Sequence, residues 1–323
     1  MAEHADDGDI FIYRGGRAPR HVAHALIDQS VDEIEDKAFY KCKRLVQVDT
    51  HDGIRKIGYC AFYSCKPLRR MNLKSVIEID HGAFEGCDNL ESVEFGVWLE
   101  TIGISAFKDC ISITHLKLPS IITLDVGALW QCTYLTDVEF SERLQTIEAQ
   151  AFHGCERLQR VAIPLKRNLF VTDGYRYNEY NQFEGCEQLA TVDLVGGIHK
   201  TVASLHMESW RAEVTAEINR INQVLPNTSA QEKAGAIRQW MHSLLDKMDH
   251  YKAEHCRYVK EGTTLLELAL WKANLDDNEG GQLEREGVRT TRGRRKKARK
   301  EMRVTSGANV VIKNVLPFLQ LRE

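Results

Sequence analysis

The chain has 323 residues, 43% of them hydrophobic, and a net charge of −3. This length allows one or two domains with a sizeable core, and the small charge gives no overall attraction to nucleic acid or membranes. The acidic start of the chain lacks the regions of a secretory signal, and no run of about 18 apolar residues offers a membrane-spanning helix. Because the nine cysteines of such a chain are expected to be reduced, we predict a cytoplasmic protein, with the nucleus as an alternative.

A regular repeat follows a predicted N-terminal tail of residues 1–21. Its marker is a cysteine that recurs at intervals of 23, 22, 23, 22, 23 and 31 residues, at Cys42, Cys65, Cys87, Cys110, Cys132, Cys155 and Cys186. The cysteine ends a motif A-F-x-x-C, as in Ala38-Phe39-x-x-Cys42. A fixed period of this size is typical of a solenoid, in which each coil buries its apolar face only against its neighbours.

Apolar columns accompany the cysteines. Leucine or isoleucine comes three residues after each cysteine, and apolar residues mostly come six and eight residues after it. Two apolar residues separated by one position suit a short strand with one buried face. With a partial first coil at Val22, Ala25 and Ile27, the pattern predicts about eight short parallel strands, starting near residues 23, 46, 69, 91, 114, 136, 159 and 190.

The repeat resembles a known family. The consensus L-x-x-V-x-L followed by I-x-x-x-A-F-x-x-C has the outline of a leucine-rich repeat. The turns Ile57-Gly58-x-x-Ala61-Phe62 and Ile102-Gly103-x-x-Ala106-Phe107 resemble the BspA-type (Treponema-type) leucine-rich repeat over about residues 22–195. The resemblance implies an α/β repeat solenoid over residues 22–197 with a concave, partner-binding strand face.

A helical module of residues 198–275 is predicted after the solenoid. Its first helix runs from Ser204 and is stopped by Pro226. A capping box at Ser229-x-x-Glu232 opens the second helix, and Thr264-x-x-Glu267 restarts helix after Gly262. One helix would be enough to cap the last coil, so this region is either a long cap or a module of its own. It is similar to the tail of leucine-rich repeat proteins from diatoms and related algae, a resemblance that implies no particular activity.

An insertion at about residues 171–180 accounts for the long interval before Cys186. It contains Tyr175, Tyr177 and Tyr180, a composition that is common at binding surfaces. Two interpretations remain open: a partner-binding loop, or a loop that covers the last coil.

A charged region at residues 276–303 is predicted to be a disordered linker, acidic at first and then basic. Residues 289–303 include nine basic side chains, and the centre of this run is Arg294, Arg295, Lys296, Lys297, Arg299 and Lys300. Such a run suits nuclear import or phosphate contacts, although it is also typical of a solvated linker. A short C-terminal helical segment is predicted at residues 304–323.

Catalytic, cofactor and metal sites are not indicated. The cysteine column spreads its thiols along an axis, whereas a metal needs ligands that converge on one point. Cys60 lacks a second ligand pair, and Cys256, near His250 and His255, lacks a nucleophile signature. No glycine pattern suits a phosphate. We therefore expect a protein that is not an enzyme and needs no cofactor or metal.

The outward positions of the strands are the remaining candidate site. Together with Tyr175, Tyr177 and Tyr180, the predicted partner-binding residues are Gln47, Asp49, Arg70, Asn72, Glu94, His115, Lys117, Asp137, Glu139 and Arg160. The leading hypothesis is a protein–protein interaction scaffold or adaptor whose partner is unknown, slightly favouring a basic patch on that partner. The alternatives are a nuclear regulator that contacts nucleic acid through residues 289–303 and, less favoured, a secreted adhesin.

Overall fold

A computed structural model of the chain describes residues 10–171, 181–196 and 208–283. Eight parallel strands of three to five residues lie at the predicted positions, and each begins one residue after its predicted start. They are β2 (His24–Ile27), β4 (Gln47–Asp49), β6 (Arg70–Leu73), β8 (Ser92–Phe95), β10 (His115–Leu118), β12 (Asp137–Phe140), β14 (Arg160–Pro164) and β15 (Thr191–Val195). The repeat therefore folds as the predicted parallel solenoid, because its inward columns alternate with polar outward ones.

The solenoid begins earlier than the predicted boundary at residue 22. Strand β1 (Phe11–Tyr13) pairs in parallel with β2, so residues 11–21 contribute to a coil and are not a tail. Tyr13 is fully buried, and its ring lies 5.1 Å from that of Phe39. This first coil has no A-F-x-x-C motif, which is why the repeat pattern did not reveal it.

A second parallel sheet runs along the solenoid, and its strands have only two residues each. It places β3, β5, β7, β9, β11 and β13 side by side, at Glu33–Ile34, Lys56–Ile57, Glu78–Ile79, Thr101–Ile102, Thr123–Leu124 and Thr146–Ile147. The second residue of each strand is fully buried. One apolar residue per coil thus gives this sheet its core contact.

The A-F-x-x-C turns of successive coils stack on one another along the solenoid. The rings of Phe39, Phe62, Phe84 and Phe107 are nearly parallel, with centroids 5.1 Å apart. Six cysteine thiols each donate a hydrogen bond of 3.0–3.2 Å to a carbonyl of the preceding coil: Cys65, Cys87, Cys110, Cys132, Cys155 and Cys186. The cysteine column therefore fills the core and also satisfies a backbone acceptor in each turn.

Helices follow the last strand, α1 (Glu208–Val224), a short 3₁₀ turn (Leu225–Asn227) and α2 (Ala230–Leu283). Residues 208–245 form one compact unit with the solenoid, and residues 246–283 belong to a second unit. In the first unit, Asn222 Oδ1 accepts the Val192 N–H of β15 at 2.8 Å. Lys233 is 1% exposed, and its Nζ donates to the carbonyls of Glu187 and Leu189 at 2.8 and 2.7 Å. The predicted cap is thus built by these polar contacts on the last coil.

Helix α2 differs from its prediction at two places. It begins at Ala230, as the capping box at Ser229 predicts, but it continues through Gly262 without the predicted restart at Thr264. One glycine costs a helix only about 1 kcal/mol, which its helix-forming neighbours offset. The helix also extends to Leu283, so residues 276–283 are helical and do not belong to a disordered linker. No helix in the described part of the chain is long and apolar enough to cross a membrane.

Candidate functional site

The outward side chains of the long strands form one polar surface, which we call the strand face. The long strands form three hydrogen-bonded groups, β1-β2-β4, β6-β8 and β10-β12-β14-β15. Within each group the register places an outward residue beside its counterpart in the next coil, as in Arg70 beside Ser92 and His115 beside Asp137. The face comprises Gln47, Asp49, Arg70, Asn72, Ser92, Glu94, His115, Lys117, Asp137, Glu139, Arg160, Thr191 and Asp193. All ten strand residues predicted to bind a partner therefore lie on the same surface.

Ion pairs along the strand face offset its acidic residues. The Asp49 carboxylate accepts a hydrogen bond from Gln47 at 2.8 Å and contacts His24 at 2.7 Å, and these contacts lower its pKa. A 2.6 Å contact with Lys74 likewise lowers the pKa of Glu94. The prediction of a basic partner counted only the charges at outward strand positions. Lys74 lies just after β6, so its positive charge was left out, and its pairing with Glu94 makes the preference for a basic partner weaker than predicted.

Arg160 organises the C-terminal end of the strand face. Its guanidinium donates to Asp193 at 2.6 Å and to Asp137 at 3.1 Å, so one cation links three neighbouring strands. Burial by itself would lower the pKa of Arg160, but the hydrogen bonds to Asp193 and Asp137 outweigh it and raise that pKa. The charged Arg160 side chain is therefore held in place between the carboxylates of Asp137 and Asp193.

A groove of about 700 Å³ surrounds the Arg160 side chain. Its walls come from strand-face residues, from the loops before β14 and β15 and from the 3₁₀ turn, and they include His115, Thr136, Asp137, Gln159, Thr191 and Pro226. Hydroxyl, amide, carboxylate and imidazole groups thus face one open depression. Such groups suit hydrogen bonding to a polar partner.

Sequence reasoning missed part of this groove and could not address other predicted sites. Thr136, Gln159 and Pro226 line the groove but were not among the predicted residues. Thr136 and Gln159 lie just before their strands, outside the outward strand positions. Pro226 lies in the 3₁₀ turn of the cap, which brings it to the groove. Ala162 lies two residues after Arg160 and so shares its outward side of β14, but it is 1% exposed, because its short side chain lies between Glu139 and Asp193. The tyrosines Tyr175, Tyr177 and Tyr180, the basic run and residues 304–323 lie outside the described residues.

The thiols have the environment of core residues. All nine cysteines are unbridged, and eight of them are buried. Burial raises the pKa of Cys87 to about 12 and raises those of Cys65, Cys110 and Cys155 well above the usual value. Burial also raises the pKa of Cys60, whereas Cys256 is exposed on α2. Within residues 10–171, 181–196 and 208–283, no three side chains of the metal-binding types form a group that could hold an ion.

These features define the class of protein: a parallel repeat solenoid with a polar strand face and a helical cap. The model of the BspA type leucine rich repeat region matches six copies, over residues 21–134, 72–188 and 121–209. The matches cover more than half of the chain, and the chain therefore belongs to the BspA-type leucine-rich repeat family.

Part of the chain is similar to solved structures of leucine-rich repeat proteins. A leucine-rich repeat protein from T. pallidum is 26% identical, and the match covers 57% of this chain and 83% of that one with a TM-score of 0.44. A leucine-rich repeat protein from Bacteroides ovatus is 20% identical, with 58% and 69% of the two chains covered and a TM-score of 0.37. A comparison with curated proteins gave no match.

Proposed function

We propose that this protein is a non-catalytic interaction scaffold that binds a protein partner through the strand face. The observation that carries the proposal is the continuous row of polar outward side chains ending in the groove around Arg160. A leucine-rich repeat solenoid commonly offers its exposed strands as an extended binding surface. The ion pairs hold charged groups in place before the partner arrives, which lowers the entropy lost on binding.

The centre and the C-terminal end of the strand face contribute to binding in different ways. Arg70 and Lys117 are exposed on the surface and can attract and orient an approaching partner. The groove around Arg160 offers partly desolvated hydrogen-bonding groups, which contribute more to affinity than exposed charges do. The partner is thus a protein whose surface carries hydrogen-bonding groups and charges of both signs.

We place this interaction inside the cell, in the cytoplasm or the nucleus. The nine unbridged cysteines support the placement, because reduced thiols persist in reducing compartments. A fluorescent fusion tests it, and secretion of the fusion would contradict it. No observation on the described residues favours nucleic-acid binding or adhesion.

The test compares partners captured by the full chain and by two charge-reversal variants. Arg70→Glu with Lys117→Glu changes the strand face, and Glu33→Lys is the matched control because Glu33 is exposed on the second sheet. We expect a partner that is retained by wild type and by Glu33→Lys and is lost, by tenfold or more in affinity, from the double variant. Equal capture by all three proteins would refute the strand face as the binding surface.

A further inference from the structure

The groove around Arg160 is completed by the cap. Its lining residues come from successive coils of the solenoid, ending with Gln188 and Thr191 of the last coil, and from Pro226 in the 3₁₀ turn of the cap. Without the cap, the groove would lack the wall that Pro226 forms. Two other side chains of the cap hold the last coil in place, although the lining of the groove does not include them.

Lys233 is the first of these side chains, and it fixes the loop that carries Gln188. Its Nζ donates to the carbonyls of Glu187 and Leu189 at 2.8 and 2.7 Å, on either side of Gln188. Lys233 is 1% exposed, and a buried ammonium is stable only where oxygen atoms accept its protons. The shape of this loop and the docking of α2 therefore depend on the same two hydrogen bonds.

Asn222 is the second, and it fixes β15 beside Arg160. Its Oδ1 accepts the Val192 N–H at 2.8 Å. The next residue, Asp193, accepts a hydrogen bond from Arg160 Nε at 2.6 Å. The carboxylate that holds Arg160 thus lies one residue after a backbone group that the cap holds in place.

We propose that the cap controls the groove: the docked cap shapes it for the partner, and displacement of the cap removes it as a binding site. This inference rests on the proposed binding function of the strand face. Lys233 and Asn222 are positioning residues, because they act on the partner only through the last coil. The coupling is reciprocal, so a partner bound between Pro226 and the last coil also strengthens the docking of the cap.

Amide hydrogen exchange on the full chain tests this control without a partner. The N–H groups of Ala190 and Thr191 both donate to the Gln159 carbonyl at 3.0 Å. Gln159 and Thr191 line the groove, so the exchange of these two amides reports whether the last coil keeps its place there.

Two cap variants should loosen this contact, and a variant of a distant coil should not. Lys233→Met and, separately, Asn222→Ala should accelerate the exchange of the two amides by roughly tenfold and leave β6 unchanged. Phe62→Leu is the matched control, since Phe62 is fully buried in the coil that contains β6, and it should show the reverse pattern. Unchanged exchange at the groove in the cap variants, or equal acceleration in β6, would overturn the proposal.

Photo-cross-linking in cells measures the effect on the partner. A photoreactive residue replaces Gln188, which is exposed in the groove, or Lys117 at the centre of the strand face. In the wild-type background we expect adducts with the same protein from both positions. In the Lys233→Met background, the adduct from position 188 should fall about tenfold relative to the adduct from position 117.

The outcomes separate this proposal from the binding function on which it rests. An unchanged ratio of the two adducts, or an adduct from position 117 alone in the wild-type background, would overturn control by the cap. If neither position gives an adduct in the wild-type background, the binding function of the strand face fails. Hydrogen exchange then decides by itself whether the cap shapes the groove.

Discussion

Alkaline pH should destabilise this solenoid, because ionisation of its stacked thiols is unfavourable in the core. A thiol is neutral when protonated, and burial raises the pKa of Cys87 from 9.0 to about 12. Below pH 9 the thiol is protonated in both states. Above it, the unfolded chain releases a proton that the folded chain retains, so stability falls as the pH rises toward 12.

The size of the effect follows from these two pKa values. Between pH 8 and pH 10, Cys87 removes about 1 kcal/mol of the free energy of unfolding. Cys65, Cys110 and Cys155 have pKa values raised in the same direction by burial. These three thiols therefore add to the loss of stability at alkaline pH in the same direction as Cys87.

Urea unfolding of the reduced protein at pH 7, 8, 9 and 10 measures this loss. Cys87→Ser is the control, because serine retains the hydrogen bond to the Phe62 carbonyl but does not titrate. Its stability at pH 7 differs from wild type, but its decline between pH 8 and pH 10 should be smaller by about 1 kcal/mol. A wild-type stability that is flat over this range, or an identical decline in the variant, would refute the reasoning.

Three further predictions concern the cap, the turns and the thiols. Lys233→Met should lower the free energy of unfolding by about 1–3 kcal/mol, since the buried Leu189 carbonyl and the partly buried Glu187 carbonyl lose their donor; an unchanged urea midpoint would show that the cap does not depend on this amine. Ser64 has φ +57°, and Gly86, at the equivalent position of the next coil, has φ +72°. Because a positive φ favours glycine, Ser64→Gly should stabilise the protein and Gly86→Ala should destabilise it, by roughly 1 kcal/mol each in urea unfolding. Effects of the same sign would contradict this. Thiol alkylation read by mass spectrometry should modify Cys256 rapidly in the native protein and all nine cysteines only in denaturant; rapid native labelling of Cys87 would contradict the buried column.

The long strands were predictable from the sequence because each coil repeats the same contacts. Inward residues recur at fixed positions, so seven copies of the pattern located eight strands to within two residues. The second sheet was harder to predict, since a strand of two residues has no alternation to detect. Strand β1 was missed for a related reason: its coil is shortened and lacks the A-F-x-x-C turn.

The site was only partly predictable because it depends on contacts between distant residues. Alternation along each strand identified the outward side chains, but it could not show that Lys74 pairs with Glu94. A lysine in an amphipathic helix suggests a solvent-exposed side chain, yet Lys233 is buried under the last coil. Pro226 reaches the groove through the path of the cap, which no local pattern encodes.

Site-specific photo-cross-linking in cells tests the central claim most directly. A photoreactive residue replaces Lys117 on the strand face or, in a matched protein, Glu33 on the second sheet. We predict a discrete covalent adduct with a partner from position 117 and none from position 33. An adduct from position 33 and none from position 117 would contradict the assignment of the strand face as the interaction surface.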